Sequence, residues 1–459
     1  MRYLVLNPPY IMKEGQVIPP AAAMLPMGPL GIATELVERG HELDYLDFAF
    51  AESLPDEIDA SEYDGVLIAI HTLRNVPTAK ELLNRVKGAS YVVAGGNVCS
   101  ELGKEDLGGV GVFADAVFRG YAHGHLDRIE SATQGDIKAG SASSRMPAPN
   151  LSLLTAELRD VYWERSSARY PIIGPGGFGC AWSCNYCTAK MLSRRVERDF
   201  SVIEREIDQA KRLGYRELWC VDNISLVDAD LALEFDQMVE RAGLTWLGMT
   251  RAETVIVARN RLPKFRRLTD IALGVEAPAR QLVTLNRGER RDNDERLHHA
   301  FGLLHDSGIT STAFVMLDLP GSLDADYWAL VDLLAYVRPG NVSWSFFNPP
   351  AVKAITLGLD LAATGFYRWP LGFARIPDTR VVQFAMVITG TWWMNWAPES
   401  FVRTPDHFGV VFDEGEIVQT PDARSVVGDL WSAWDFNAAP LRLPDPPHLA
   451  KPLLERTGA

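Results

Sequence analysis

A chain of 459 residues is too long for one ordinary domain and fits two or three. With 47% hydrophobic and 23% charged residues, no run of 18 apolar residues and no basic-then-apolar leader, it excludes a membrane span and a signal peptide, and the simplest address is the cytoplasm. The net charge of −14, from 45 basic and 59 acidic side chains, argues against nucleic acid or anionic membrane as partner and suits a cationic small molecule, although acidity also serves solubility alone.

In chain order, "RYLVLNPP" reads as an apolar strand, "MGPLGIATELVERG" as a helix closed by Gly40, and "ELDYLD" as a strand ending at Asp47. "YDGVLIAI" is a buried strand, "VPTAKELLNRVKG" a helix, "SYVVAGGN" a strand running into Gly95-Gly96, and "FADAVFRG" the last strand of this part. Such alternation predicts a doubly wound α/β domain over residues 1–140, with its ligand site beyond the strand C-termini. A Ser-, Ala- and Pro-rich linker follows over 141–165.

From "RYPII" onward the alternation resumes. Strands are expected at "ELWCVDN", "LTWLGMTRAE", "DIALGVEA", "TSTAFVMLDLPG" and "NVSWSFFNPP". Between them lie helices, including one beginning at "RLPKFRRL" and others in "PARQLVTLNRG" and "NDERLHHAFGLLHDSG". Six strands with intervening helices predict a partial (β/α)6 barrel over 166–350, whose chemistry sits at the C-terminal strand ends. Residues 351–459 form an extension rich in aromatics, with Trp392, Trp393 and Trp396 close together and Phe366, Tyr367 and Trp369 nearby. They suit a small core under a loop-rich cap or the wall of a pocket.

The first barrel strand runs into "GPGGFGCAWSCNYC", where Cys180, Cys184 and Cys187 are spaced C-x3-C-x2-C. The other two cysteines, Cys99 and Cys220, stand alone, so the set is no disulfide framework. Structural zinc closes with four ligands. Three thiolates suit an iron–sulfur cluster with one iron left open, and a zinc-stabilised binding protein with a distant fourth ligand is the alternative of another class.

The three-cysteine loop, with Tyr186 before its last cysteine, resembles that of the radical S-adenosylmethionine (SAM) enzymes. The resemblance implies a [4Fe-4S] cluster on Cys180, Cys184 and Cys187, SAM on the open iron, and an electron from a flavodoxin or ferredoxin that cleaves SAM to a 5′-deoxyadenosyl radical. Tyr186, Asn223, Arg251 and Glu276 fall where this group contacts the cofactors, Glu276 in "LGVEA" resembling its Gly-Ile-Glu-Ser motif. Asp222 and Asp318 are the catalytic candidates, Asp318 replacing the first glycine of a Gly-Leu-Pro-Gly turn.

The first 140 residues resemble the cobalamin-binding domain found ahead of many such enzymes, through Pro8-Pro9, the Pro-Leu-Gly helix start and Gly95-Gly96. The Asp-x-His-x-x-Gly cobalt-ligand motif is absent, and "RGYAHGHL" stands where relatives read Gly-Glu-Gly-Glu, with His123 and His125 read as surface polarity. Whether cobalamin is bound stays open. Two reactions follow from the resemblance. One is dehydration of a 1,2-diol on an aminoglycoside-type sugar, as in the apramycin-pathway diol dehydratase. The other is cobalamin-dependent methyl transfer. The altered loops and the acidic surface favour dehydration of a small, polar, cationic substrate.

Overall fold

The computed structural model describes residues 1–9, 11–13, 16–18, 23–71, 75–101, 104, 107, 109–139, 143–182, 184, 187, 195–278, 281–282, 293–317, 319 and 323–346, with four short strands beyond. The tryptophans 392, 393 and 396, Tyr186, Asp318, and most of the helix expected in "PARQLVTLNRG" lie outside the described residues.

The N-terminal half is built on a six-stranded parallel sheet. Its strands are β1 (Arg2–Asn7), β2 (Glu42–Asp47), β3 (Gly65–Ala69), β4 (Val92–Gly95), β5 (Ala116–Arg119) and β6 (Gly135–Lys138). Their order is β6-β5-β4-β3-β1-β2, all parallel. Every residue of β3 is buried, as a central strand covered on both faces requires. Helix α1 (Met27–Glu38) covers one face and α2 (Asn75–Arg85) the other. β6 was not expected: it is a short edge strand with only Ile137 buried, too polar to show a pattern.

Residues 156–165, within the stretch read as linker, form helix α3 (Ala156–Arg165), its first turn capped by the Thr155 side chain. The buried Tyr162 of α3 donates its hydroxyl to Asp47 at 2.9 Å, and the Asn150 amide donates to Thr34 of α1 at 2.7 Å. The segment therefore ties the two halves together, and Leu25, Leu30 and Ala49 share one core with the second sheet.

The second sheet runs in strict chain order: β7 (Arg169–Ile172), β8 (Glu217–Cys220), β9 (Thr245–Thr250), β10 (Leu268–Glu276), β11 (Thr310–Leu317) and β12 (Asn341–Phe346), all parallel. Helices α4 (Phe200–Arg212), α5 (Ala229–Ala242), α6 (Ala252–Ala258), α7 (Asn293–Asp306) and α8 (Asp324–Val337) lie between successive strands. Alternation sets the faces. Trp246, Ala313, Val315 and Leu317 belong to the core under the helices, while Leu247, Met249, Phe314 and Met316 are half-buried on the inner face. This is the expected partial barrel. One helix differs: "RLPK" makes only a 3-10 turn, Leu262–Lys264, and the helix after β9 is α6, directly behind Arg251. Ala252, Val255 and Ala258 give α6 its buried stripe, while Pro263 has no N–H to extend a helix. Among the described residues, no helix is long and apolar enough to cross a membrane.

Candidate functional site

The loop after β7 is folded around one carboxylate. Asp222, at the end of β8, accepts the backbone N–H of Gly174 at 3.1 Å and of Gly176 at 2.7 Å, and is 1% exposed. Burial raises its pKa, against the pull of these backbone donors. A side chain on Gly176 would collide with that carboxylate and with the Ile224 carbonyl, so the chain approaches only as glycine. Phe178 and Val196 exchange two backbone hydrogen bonds of 2.9 Å, joining the loop's outgoing and returning chains. Asn223 donates to the Gly179 carbonyl at 3.2 Å.

Cys180, Cys184 and Cys187 follow, half-buried and in no disulfide, with the Cys187 amide bonded to the Cys184 carbonyl. Burial raises the Cys180 thiol, and the Cys184 charge adds to this. Arg251, at the end of β9, donates to the Cys184 sulfur at 3.4 Å, lies 5.2 Å from the Trp182 ring centre and pairs with Glu253 at 3.1 Å. Glu276 ends β10 at φ +67°, a left-handed conformation that costs a non-glycine residue energy and is met at ligand sites. The structure thus brings Asp222, Asn223, Arg251 and Glu276 to the strand ends of the barrel half that carries the cysteines. Cys220 is buried at the end of β8, its sulfur against Gly174, and Cys99 is buried on a helical turn, Asn97–Glu101, rather than in a loop.

The donor set fits an iron–sulfur cluster. Three cysteines on one loop offer one thiolate to each of three irons, the ligation that such a cluster takes. The Arg251 guanidinium beside Cys184 offsets the negative charge of thiolates.

A second feature joins the halves. A cavity of about 360 Å³ runs between α1 and the first sheet, walled by Val5, Leu67, Val93, Phe118 and Ile32. Gly28, Gly95, Gly96 and Gly120 line it at the strand and helix ends, and Ile173, Phe178, Val221 and Asn223, from the loops after β7 and β8, border it on the other side. A Cβ on Gly96, whose φ is +107°, would stand 2.5 Å from the Ile70 carbonyl. An apolar slot under a glycine edge, opening toward the cysteine loop, can take a small-molecule ligand or the buried tail of a larger one.

The reading of His123 as surface polarity is corrected: it is 5% exposed, its ring packs on Gly31, and its Nδ1 lies 3.3 Å from Glu35. Glu35 also accepts the Gly124 amide at 3.1 Å. The altered "RGYAHGHL" loop is therefore a clasp on α1. Next to it, Tyr121 stacks edge-on against Phe178 at 5.0 Å, so this loop also touches the cysteine loop. No motif signals such contacts, because they join residues far apart in the chain.

A hopanoid C-3 methylase of Methylococcus capsulatus is 25% identical over 280 residues, 55% of this chain and 54% of the methylase, so the chain spans about half of that relative. An anaerobic magnesium-protoporphyrin IX monomethyl ester cyclase of Synechocystis sp. is 22% identical over 432 residues, 84% of this chain and 85% of the cyclase. The solved structure of the cobalamin-dependent S-adenosylmethionine radical enzyme OxsB, with aqua-cobalamin and S-adenosylmethionine bound, is alike in fold. Its TM-score is 0.63 at 12% identity, over 90% of this chain and 69% of OxsB. Residues 175–334, which begin in the cysteine loop and run through β11 into α8, match the radical SAM superfamily, and this chain therefore carries a radical SAM domain.

Proposed function

We propose that this chain is a cobalamin-dependent radical SAM enzyme that transfers a methyl group to an unactivated carbon or phosphorus of a small polar molecule. The observation that carries this reading is the apolar cavity between α1, the first sheet and the cysteine loop, which has room for part of a bound cofactor. A radical SAM domain implies a [4Fe-4S] cluster and SAM, and together with cobalamin these would supply hydrogen-atom abstraction and the methyl group.

Cys180, Cys184 and Cys187 would hold the cluster. Arg251, already against Cys184, keeps positive charge there and with Glu276 would bind the charged groups of SAM. Asp222 is read as a positioning residue rather than a catalytic one, because both its oxygens are taken by loop amides in a closed site. Leu247, Met249, Phe314 and Met316 give the barrel an apolar inner wall that sheds water from a reacting radical. In this reading residues 1–140 seat cobalamin and 166–350 form the radical SAM barrel. A flavodoxin or ferredoxin supplies the electron.

Aminoglycoside dehydration takes second place. It rested on altered cobalamin-domain loops and an acidic surface, and the altered loop still builds the clasp beside the cavity. The relatives named above are a methylase and a cyclase. The test is anaerobic reconstitution with iron, sulfide and hydroxocobalamin, followed by metal analysis and incubation with SAM and a reductant. About four irons and one cobalt per chain, with 5′-deoxyadenosine and S-adenosylhomocysteine both formed, is the expected result. Iron without cobalt would overturn the cobalamin part, and zinc without iron the whole.

A further inference from the structure

Glu253 stands in the first turn of α6, two residues past Arg251, and it holds that guanidinium in one particular way. Its two carboxylate oxygens take the side edge of the fork. Arg251 Nε donates to one oxygen at 3.2 Å and Nη2 to the other at 3.1 Å. The nitrogen left over, Nη1, is the one that donates to the Cys184 sulfur at 3.4 Å. Arg296, in the first turn of α7, donates to the oxygen that Nη2 uses, at 3.4 Å, so a second helix braces the carboxylate. Arg251 is buried, and Glu253 and Arg296 are half-buried.

Resting on the [4Fe-4S] cluster that the radical SAM domain implies, we propose that Glu253 is a positioning residue for it: by fixing the plane of Arg251, Glu253 keeps Nη1 on the Cys184 sulfur and so holds the reduction potential of the cluster up. Reduction adds an electron to the cluster and its thiolates. A hydrogen bond to a cysteine sulfur and a nearby positive charge both favour the reduced form, since each acts more strongly on the greater negative charge. Arg251 supplies both at Cys184. A guanidinium on a flexible stem does so only while it is aimed. The Trp182 ring, 5.2 Å away, lies against the guanidinium but leaves it free to turn in its own plane. Two parallel bonds to one carboxylate remove that freedom, because a planar fork and a planar acceptor fit in one orientation. A carboxylate in the first turn of α6 also suits the helix N-terminus, a purely structural role that would leave the cluster's potential alone.

The test is the midpoint potential of the reconstituted full-length protein without SAM, followed by electron paramagnetic resonance, with iron content and urea midpoint measured alongside. Glu253→Asp keeps the charge but is one methylene too short to span both nitrogens. It should keep its iron and shift the midpoint about 59 mV more negative, a tenfold change in the one-electron reduction constant. Arg251→Lys keeps the charge and loses the fork, and should shift it in the same direction. Glu253→Asp added to Arg251→Lys should shift it no further, because no fork is left to aim. An unchanged or more positive midpoint in Glu253→Asp would overturn the proposal, and so would a further shift in the double variant. Loss of iron from Glu253→Asp would overturn it as well, by making Glu253 part of the scaffold that holds the loop. Wild-type protein that takes up no iron would overturn the cluster reading and the proposal together.

Discussion

Asp222 shows how far a residue's chemistry depends on its surroundings. As a carboxylate at a barrel strand end it is a reasonable acid or base, yet the fold spends both oxygens on Gly174 and Gly176. Asp222→Asn keeps one acceptor and turns an N–H₂ toward a backbone N–H. The expected cost is about 2–3 kcal/mol of stability together with loss of iron during desalting, measured by urea denaturation and iron assay. Unchanged iron retention would return Asp222 to the list of reacting groups. Asp47 offers a pH test at the same scale. Burial raises its pKa, although the Ala49 amide, Asn7 and Tyr162 pull the other way. A carboxyl whose folded pKa lies above its unfolded value of about 3.9 contributes most stability below that value and loses it as pH climbs to the folded pKa. Wild-type protein should therefore lose ground against Asp47→Asn as pH rises from about 4 through that window, and the gap should then level off. Urea midpoints of the cluster-free proteins across this range measure it, and a gap that widens in favour of the wild type would contradict it.

At the scale of elements, strands and helices were legible where burial was regular. The wholly buried β3 and the alternating β9 and β11 carry their own signal. β6 and α6 did not, since a short polar edge strand and a two-turn helix owe their place to the neighbours they pack on. The turn after β4 is a sharper case. Gly95-Gly96 carries part of the resemblance to a cobalamin-binding domain, and the structure adds why the second glycine is needed: φ is +107° with the Ile70 carbonyl alongside. Gly96→Ala is expected to cost roughly 1–3 kcal/mol and to weaken cobalamin binding while leaving the iron content unchanged, as equilibrium dialysis and iron assay would show. Parallel loss of iron would mean that the turn serves folding alone.

For the whole molecule, the informative fact is that the two sheets share a cavity. Tyr162 on Asp47 and Asn150 on Thr34 tie the joining segment to the first half, and Tyr121 on Phe178 sets that half's loop against the cysteine loop. The cavity wall can be filled from the side remote from the cysteines. Val93→Phe should cost about 1–3 kcal/mol, abolish cobalamin retention and spare iron and 5′-deoxyadenosine formation, checked by metal analysis and product assay. Retained cobalt would place the cofactor elsewhere. A second whole-molecule test is the Arg198–Glu206 pair, wholly buried, in which Arg198 also holds the Ile173 carbonyl at 3.0 Å. Glu206→Ala leaves that guanidinium unpaired and should cost about 3–5 kcal/mol in denaturant unfolding.

By itself the sequence determined the thiol spacing, the glycine-rich approach and the two runs of alternating strands and helices, because these are local patterns set by chain geometry and by which residues bury. From them followed the α/β class, the barrel and the radical SAM resemblance. Only the tertiary structure decided that Asp222 braces a loop, that His123 is a buried clasp, that residues 156–165 are a helix joining the halves, and that both halves line one cavity. Each depends on pairs of residues tens of positions apart, whose meeting is set by packing and by the need to satisfy buried polar groups, and no local pattern encodes that.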